Sequence, residues 1–390
     1  MKITKPSLLV QVLIAVLLGV ALGQFLPHPI ARIFVTFNSL FGNFLTFAIP
    51  LIIVGLIIPA IADLGKGAGR MLLLTAVMAY GFTLASGFFT FFACDPIFPS
   101  MITAGNGVAE IGESHEALKP FFTVEMPPLM NIMTALLLAF CVGLGLSVIE
   151  GNTLKRAAED FRDIVTLIIS KVIVPLLPLH IFGIFLNMTV TGQVMSVMTV
   201  FIKIIVVIFI LHVLLLILQF VIAGIVSRRN PFRLLGNMLP AYFTALGTQS
   251  SAATIPVTLQ QAIKNGVTPN IATFVIPLCA TIHLSGSTMK IVACSMAVLL
   301  MNGLDVSLGS YAGFICMLGI TMVAAPGVPG GAIMAALGVL EGFLGFGEME
   351  QALMIALYIA MDSFGTACNV TGDGAIAVVI DRIAGRKSEE

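Results

Sequence analysis

Charge is what this sequence has least of. Only 10% of its 390 residues are Asp, Glu, Lys or Arg, against 58% hydrophobic, and the mean hydropathy is +1.09. A water-soluble domain carries roughly 25% charged residues, so this chain cannot coat a folded surface that faces water. Tryptophan is absent and there are only four tyrosines, which leaves phenylalanine to do most of the aromatic work. The six cysteines (Cys94, Cys141, Cys279, Cys294, Cys316 and Cys368) stand singly in apolar segments. Without a CxxC pair or metal-ligand spacing they read as small core-filling residues. A formal net charge of zero gives no basic surface for nucleic acid, so no nucleic-acid partner is expected.

What the chain does have is long apolar runs. Those at 6–26, 44–62, 71–93, 129–149, 164–188 and 194–226 reach or approach the ~20 residues of a bilayer span. The expected class is an all-α polytopic membrane protein. The first run follows Lys2 and Lys5 but is longer than a signal-peptide apolar region and lacks a clear small-x-small site, so it is expected to be a retained helix. Basic residues gather on the cytoplasmic side of membrane proteins. With the N-terminus inside and six crossings by residue 226, Lys2, Lys5, Lys66, Arg70, Lys155, Arg156, Arg162, Arg228, Arg229 and Arg233 fall inside, followed by Lys264, Arg382, Arg386 and Lys387. Arg32 and Lys119 fall outside, with the acidic stretch 94–128 (Asp95, Glu110, Glu113, Glu116, Glu125). Both termini are thus expected to be cytoplasmic, in a cell inner (plasma) membrane.

From 232 onward the apolar stretches are interrupted by small and polar residues, as in "TQSSAATIP" (248–256) and "AAPGVPGGA" (324–332). Irregular backbone cannot face lipid, so such runs must be buried tips of re-entrant hairpins or breaks in discontinuous helices. The pattern repeats. A hairpin at 232–264 precedes a helix at 269–300 broken at "HLSGST" (283–288), and a hairpin at 309–345 precedes a helix at 349–380. The flanking charges, Arg233 and Lys264 against Asp305, Glu341, Glu348 and Glu350, place the two hairpins in opposite orientations. Inverted repeats of this kind are the architecture of secondary transporters with midplane binding sites. The last helix carries Asp362, Thr366, Asn369 and Asp373, spaced 4, 3 and 4 apart and therefore on one face. An intramembrane carboxylate needs a counter-ion or a special partner.

"SSAATIP", "PGVPGGAIM" and above all D-x-x-x-T-x-x-N-V-T-G-D (362–373) resemble the dicarboxylate/amino acid:cation symporters, the glutamate-transporter-like family. The resemblance implies eight transmembrane helices plus two re-entrant helical hairpins of inverted orientation, in a homotrimer with an elevator mechanism. Scaffold helices would occupy 1–68 and 129–193. Transport-domain helices would occupy 69–128 (with an external loop) and 194–230. Hairpin 1 would be 231–266, a broken helix 267–306, hairpin 2, the external gate, 307–347, and the last helix with its tail 348–390. It also implies a substrate site in which Asp362 holds an amino group and Asn369 a carboxylate, with Thr366 beside them. Ser250 and Ser251 would offer donors to the carboxylate, and Val328 and Gly330 would touch the ligand. A sodium ion would be held at Asp373, with Asn369 and His283, partly through backbone carbonyls. The plainer readings are a carboxylate paired with a lysine, and Thr and Asn as helix–helix glue.

The sequence also departs from the family. Acidic-substrate members carry an Arg one residue before the matching Thr, where this chain has Gly365; a second family Arg position is Gln249. Without a guanidinium an acidic side chain goes unpaired, so a small neutral amino acid is expected (Ser, Thr, Ala or Cys), with a larger one allowed by Gly365. The broken-helix Asp of a deeper sodium site is Ser285, although the upstream helix keeps Tyr80 and Thr83. Lys290 follows His283 by seven positions, which suggests a shared helix face, a fixed charge in place of a mobile cation, and a titrating His283; the plainer readings are that Lys290 snorkels to an interface or pairs with an acid and that His283 hydrogen-bonds a carbonyl. The expected function is sodium-coupled symport, the alternative being proton-coupled or uncoupled transport of an amino acid or dicarboxylate. An intramembrane aspartyl hydrolase is excluded because Asp362 and Asp373 lie ~16 Å apart by helix rise. No enzyme activity is expected.

Overall fold

A computed structural model of the chain describes residues 8–65, 70–102, 118–192, 194–325 and 329–385. Val328, the charges at Lys2, Lys5, Lys66, Arg386 and Lys387, and the acids Glu110, Glu113 and Glu116 lie outside the described residues. No strand occurs among the described residues. Besides one helical turn at Phe98–Met101, the helices are α1 (Leu8–Gly23), α2 (His28–Gly65), α3 (Arg70–Cys94), α4 (Ile132–Val148), α5 (Thr153–Val190, with a π-turn at Ile169–Ile173) and α6 (Val194–Ser227). Eight further helices follow: α7 (Pro231–Thr248), α8 (Ser251–Lys264), α9 (Pro269–Ile282), α10 (Ser285–Met301), α11 (Leu308–Val323), α12 (Gly331–Leu344), α13 (Glu348–Ala360) and α14 (Asp362–Gly385).

Their starts follow local chemistry. Asn230 precedes Pro231 and caps α7, its Oδ1 accepting from the N–H groups of Phe232 (3.0 Å) and Arg233 (3.1 Å). Proline at a first helical position lacks only an N–H that would have no helical partner. Asn131 caps α4 and Ser307 caps α11 in the same way.

Among the described residues, six helical stretches are long and apolar enough to cross a bilayer: His28–Ala62, Met71–Cys94, Thr153–Val190, Val197–Ser227, Pro269–Met301 and Asp362–Ala384. The apolar helices α1, α4, α11 and α12 are shorter. Helix α1 packs on α5, and α2 packs on α4 and α5, forming one group. Helix α14 touches α3 and α6 through α10, while α12 packs on α2 and α4 and α13 packs on α1 and α5. One apolar cluster centres on α3, α6, α7, α9 and α14 through Ala79, Phe220, Met238, Val275 and Ile376. A larger one joins α2, α5, α10, α12 and α13.

The second half is built from four helix pairs, each broken by a short interruption. Helices α7 and α8 meet at Gln249–Ser250, and α9 and α10 at His283–Leu284. Helices α11 and α12 are separated by 324–330. The fourth break corrects the sequence reading of one helix over 349–380. Met361 leaves the helical region (φ −116°, ψ 13°) and divides that span into α13 and α14. Asp362 therefore opens a helix instead of sitting inside one. An acid is favoured there by the partial positive charge of the helix start.

Candidate substrate site

The four breaks converge on one cavity of about 80 Å³. Its wall takes Ser250, Ser251 and Ala252 from the start of α8, Leu284 and Ser287 from the start of α10, Ala332 from α12, and Asp362, Thr366 and Asn369 from α14. The C-terminal ends of the partner helices supply Gln249, Ala280, Thr281, Ala325 and Tyr358. The cavity is thus bounded by residues from four helix starts and four helix ends. The first favour an anion and the second a cation.

Each polar wall residue is held by its neighbours. Ser250 caps α8, its Oγ accepting from Ala253 N–H at 3.3 Å. Gln249 sits in the left-handed region (φ 55°), which is strained for a side chain other than glycine. Its Nε2 donates to Ser363 Oγ at 2.8 Å, tying the α7–α8 break to α14. Asn369 Oδ1 accepts from the N–H of Gly286 at 2.8 Å and of Ser287 at 3.4 Å, closing the start of α10. Its Nδ2 donates to Ser287 Oγ at 3.2 Å, and that oxygen also accepts from Tyr358 Oη at 2.9 Å. Thr366 Oγ1 donates back to the Asp362 carbonyl at 3.1 Å.

Asp362, 8% exposed, is the cavity's only carboxylate among the described residues. Its Oδ2 accepts from Gly330 N–H at 3.0 Å, which anchors the α11–α12 connection to α14. Gly330 has φ +74°, a left-handed conformation that glycine adopts without strain. The other carboxylate oxygen, Asp362 Oδ1, lies 3.6 Å from Lys290 Nζ. That ammonium is 1% exposed, donates to the Met361 carbonyl at 3.1 Å, and stands 3.8 Å from the centre of the Tyr358 ring. A Cβ at position 365 would collide with the end of the Lys290 side chain, so Gly365 is the residue that leaves space for it.

Asp373, one turn beyond Asn369 and 1% exposed, meets His283 instead. His283 Nδ1 and Asp373 Oδ1 share a 2.8 Å hydrogen bond in fully buried surroundings. The seven-residue spacing therefore does not put His283 and Lys290 on one face. The break at 283–284 separates them, and each goes to a different acid. Around His283 lies a second polar layer. Ser285 Oγ accepts from Gln219 Nε2 (2.9 Å), and the Ser285 carbonyl accepts from Ser86 Oγ (2.6 Å). Thr83 Oγ1, Gln219 Oε1 and His283 Nε2 are buried with no hydrogen-bond partner among the described residues. Tyr80 is elsewhere, donating to the Cys316 carbonyl at 3.2 Å on α11.

The structure thus brings Ser250, Ser251, Asp362, Thr366 and Asn369 to one cavity, with Gly330 and Gly365 immediately behind Asp362. Asp373, His283 and Ser285 form a separate deeper cluster, and Tyr80 joins neither. Among the described residues no group of three or more His, Cys, Asp or Glu gathers as a metal centre. Sequence reasoning missed Tyr358, Gln219 and Ser86. Tyr358 had a signal, being one of only four phenols in a chain rich in Phe. Gln219 is a lone amide in the apolar run 194–226, and Ser86 lies one turn past Thr83.

A family model described as "Sodium:dicarboxylate symporter family" matches residues 8–383. The serine/threonine transporter SstT of Acinetobacter baumannii is 26% identical to this chain, over 97% of each sequence. Excitatory amino acid transporter 3 of Mus musculus is 33% identical over 43% of this chain and 32% of its own length. Excitatory amino acid transporter 4 of the same species is 31% identical over 42% of this chain and 29% of its own.

Proposed function

Because this chain belongs to the sodium:dicarboxylate symporter family, we propose that it is a secondary active transporter that carries a small neutral amino acid together with sodium across the plasma membrane. Its relatives are transporters, not enzymes, and the chain is a multi-pass membrane protein. The observation that carries the substrate reading is the charge pattern of the cavity. Asp362 provides one anionic end for an ammonium group, while Ser250, Ser251 and the start of α8 provide donors for a carboxylate. No guanidinium lines the wall among the described residues, where an acidic side chain would need one. The full-length similarity to a serine/threonine transporter supports the same reading.

On this reading α7–α8 and α11–α12 are re-entrant hairpins of opposite orientation, and with eight transmembrane helices they complete an elevator-type trimer with both termini cytoplasmic. The group α1, α2, α4 and α5 is the fixed scaffold, and the helices around α14 move with the substrate. Uptake of labelled L-serine into proteoliposomes, driven separately by sodium and proton gradients, tests the proposal. Sodium-driven uptake resistant to excess aspartate is the expected result; competition by aspartate alone overturns the neutral-substrate reading.

A second reading keeps the fold and changes the coupling to protons or to none. It is favoured by the 2.8 Å contact between His283 and Asp373, which occupies the acid that the family resemblance assigns to sodium. Uptake that follows the proton gradient, or neither gradient, would select it.

A further inference from the structure

We propose that Lys290 is a built-in counter-ion for Asp362 that makes the substrate's amino group dispensable, so that the cavity accepts 2-hydroxy acids beside the 2-amino acids of matching side chain. The inference rests on the substrate reading above and extends it to a second class of ligand. In a dry cavity an unpaired carboxylate demands a cation, and a ligand that brings none leaves the charge buried at high cost. Here the demand is met before any ligand arrives. Lys290 Nζ stands 3.6 Å from Asp362 Oδ1, and the Gly330 N–H binds Oδ2.

The lysine contacts Asp362 from outside the cavity wall. It is 1% exposed, does not line the cavity, and is fixed by the Met361 carbonyl and the face of Tyr358. It neutralises Asp362 without filling the space a ligand would use. Gly365 leaves the space that the end of the Lys290 side chain occupies, and a Cβ there would force the ammonium to shift. A carboxylate has about four acceptor positions, and Lys290, the Gly330 N–H and the neighbouring Tyr358 hydroxyl occupy only part of them. Asp362 therefore retains capacity for a donor from the ligand, and a hydroxyl serves that purpose as an ammonium does. The carboxylate end of the ligand meets Ser250 and Ser251 in both classes.

Calorimetric titration of the purified full-length protein with matched pairs, L-serine against glycerate and L-alanine against L-lactate, tests the idea. In the unaltered protein each hydroxy acid should bind within about tenfold of its amino acid, a difference of one hydrogen bond to a charged group. In Lys290→Met the ratio should move about a hundredfold or more toward the amino acid, because only the ammonium then supplies the missing charge. Gly365→Ala, which displaces the ammonium while keeping it in the chain, should move the ratio the same way by a smaller factor. It serves where Lys290→Met does not fold. Amino acids binding while hydroxy acids do not, or a ratio unchanged in both variants, overturns this proposal and leaves the transport reading standing. Failure of both series to bind the unaltered protein overturns both.

Discussion

The two ends of the α14 stripe carry the same residue and differ in almost everything else. Asp362 opens the helix, faces the cavity, and is held by a 3.6 Å ion pair and one backbone N–H. Asp373 lies eleven positions further on, is sealed from the cavity, and meets its imidazole at 2.8 Å. A long ion pair beside open space can share its carboxylate with a visitor. A short hydrogen bond in close-packed surroundings excludes one until the packing moves. On the proposed reading the same side chain serves recognition at one end and cohesion, or ion coupling, at the other. Its burial and partner decide which.

Breaking the sealed pair should have the largest effect. His283→Leu leaves Asp373 buried without its partner and should cost about 3–5 kcal/mol of stability, seen as a lower unfolding temperature in detergent. The double change His283→Leu with Asp373→Leu should recover much of that loss, since removing both partners removes the unpaired charge. Asp362→Asn leaves the buried Lys290 ammonium without its counter-ion and should cost up to about 3–5 kcal/mol as well, while abolishing transport of serine. Both ends therefore carry stability, and what sharpens the contrast is ligand binding, which only the Asp362 change should remove from the protein that still folds. Tyr358→Phe removes the hydroxyl that donates to Ser287 and adjoins Asp362, and should cost about 1 kcal/mol, with the ring still in place against Lys290. Ser250→Ala removes a helix cap and should cost about 0.5–1 kcal/mol in thermal unfolding; its larger consequence should appear as weaker serine binding by calorimetry.

Much of this arrangement was legible in the sequence, for physical reasons that differ from place to place. The apolar runs announced α3, α4 and α6 closely, because a bilayer imposes length and composition together. The breaks at "TQSSAATIP" and "HLSGST" were legible because lipid requires a spanning segment to stay apolar, and small polar residues in mid-span interrupt it. The break at Met361 was not, since methionine is an ordinary helix former and only tertiary packing turns the chain there. Among the site residues, Asp362, Thr366 and Asn369 were legible through helical spacing. The partnership of Lys290 with Asp362 joins residues far apart in the chain and was invisible to any local pattern. Gly365 suggested the absence of an arginine. The space left by this glycine is in fact filled by a lysine from α10.

The most direct test of the contrast is equilibrium binding of labelled L-serine to the purified protein and to Asp362→Asn, with folding of each followed by thermal unfolding. Loss of binding in a variant that still unfolds cooperatively is the outcome expected if the cavity at the four helix breaks is the substrate site. Undiminished affinity in a folded Asp362→Asn protein would contradict it.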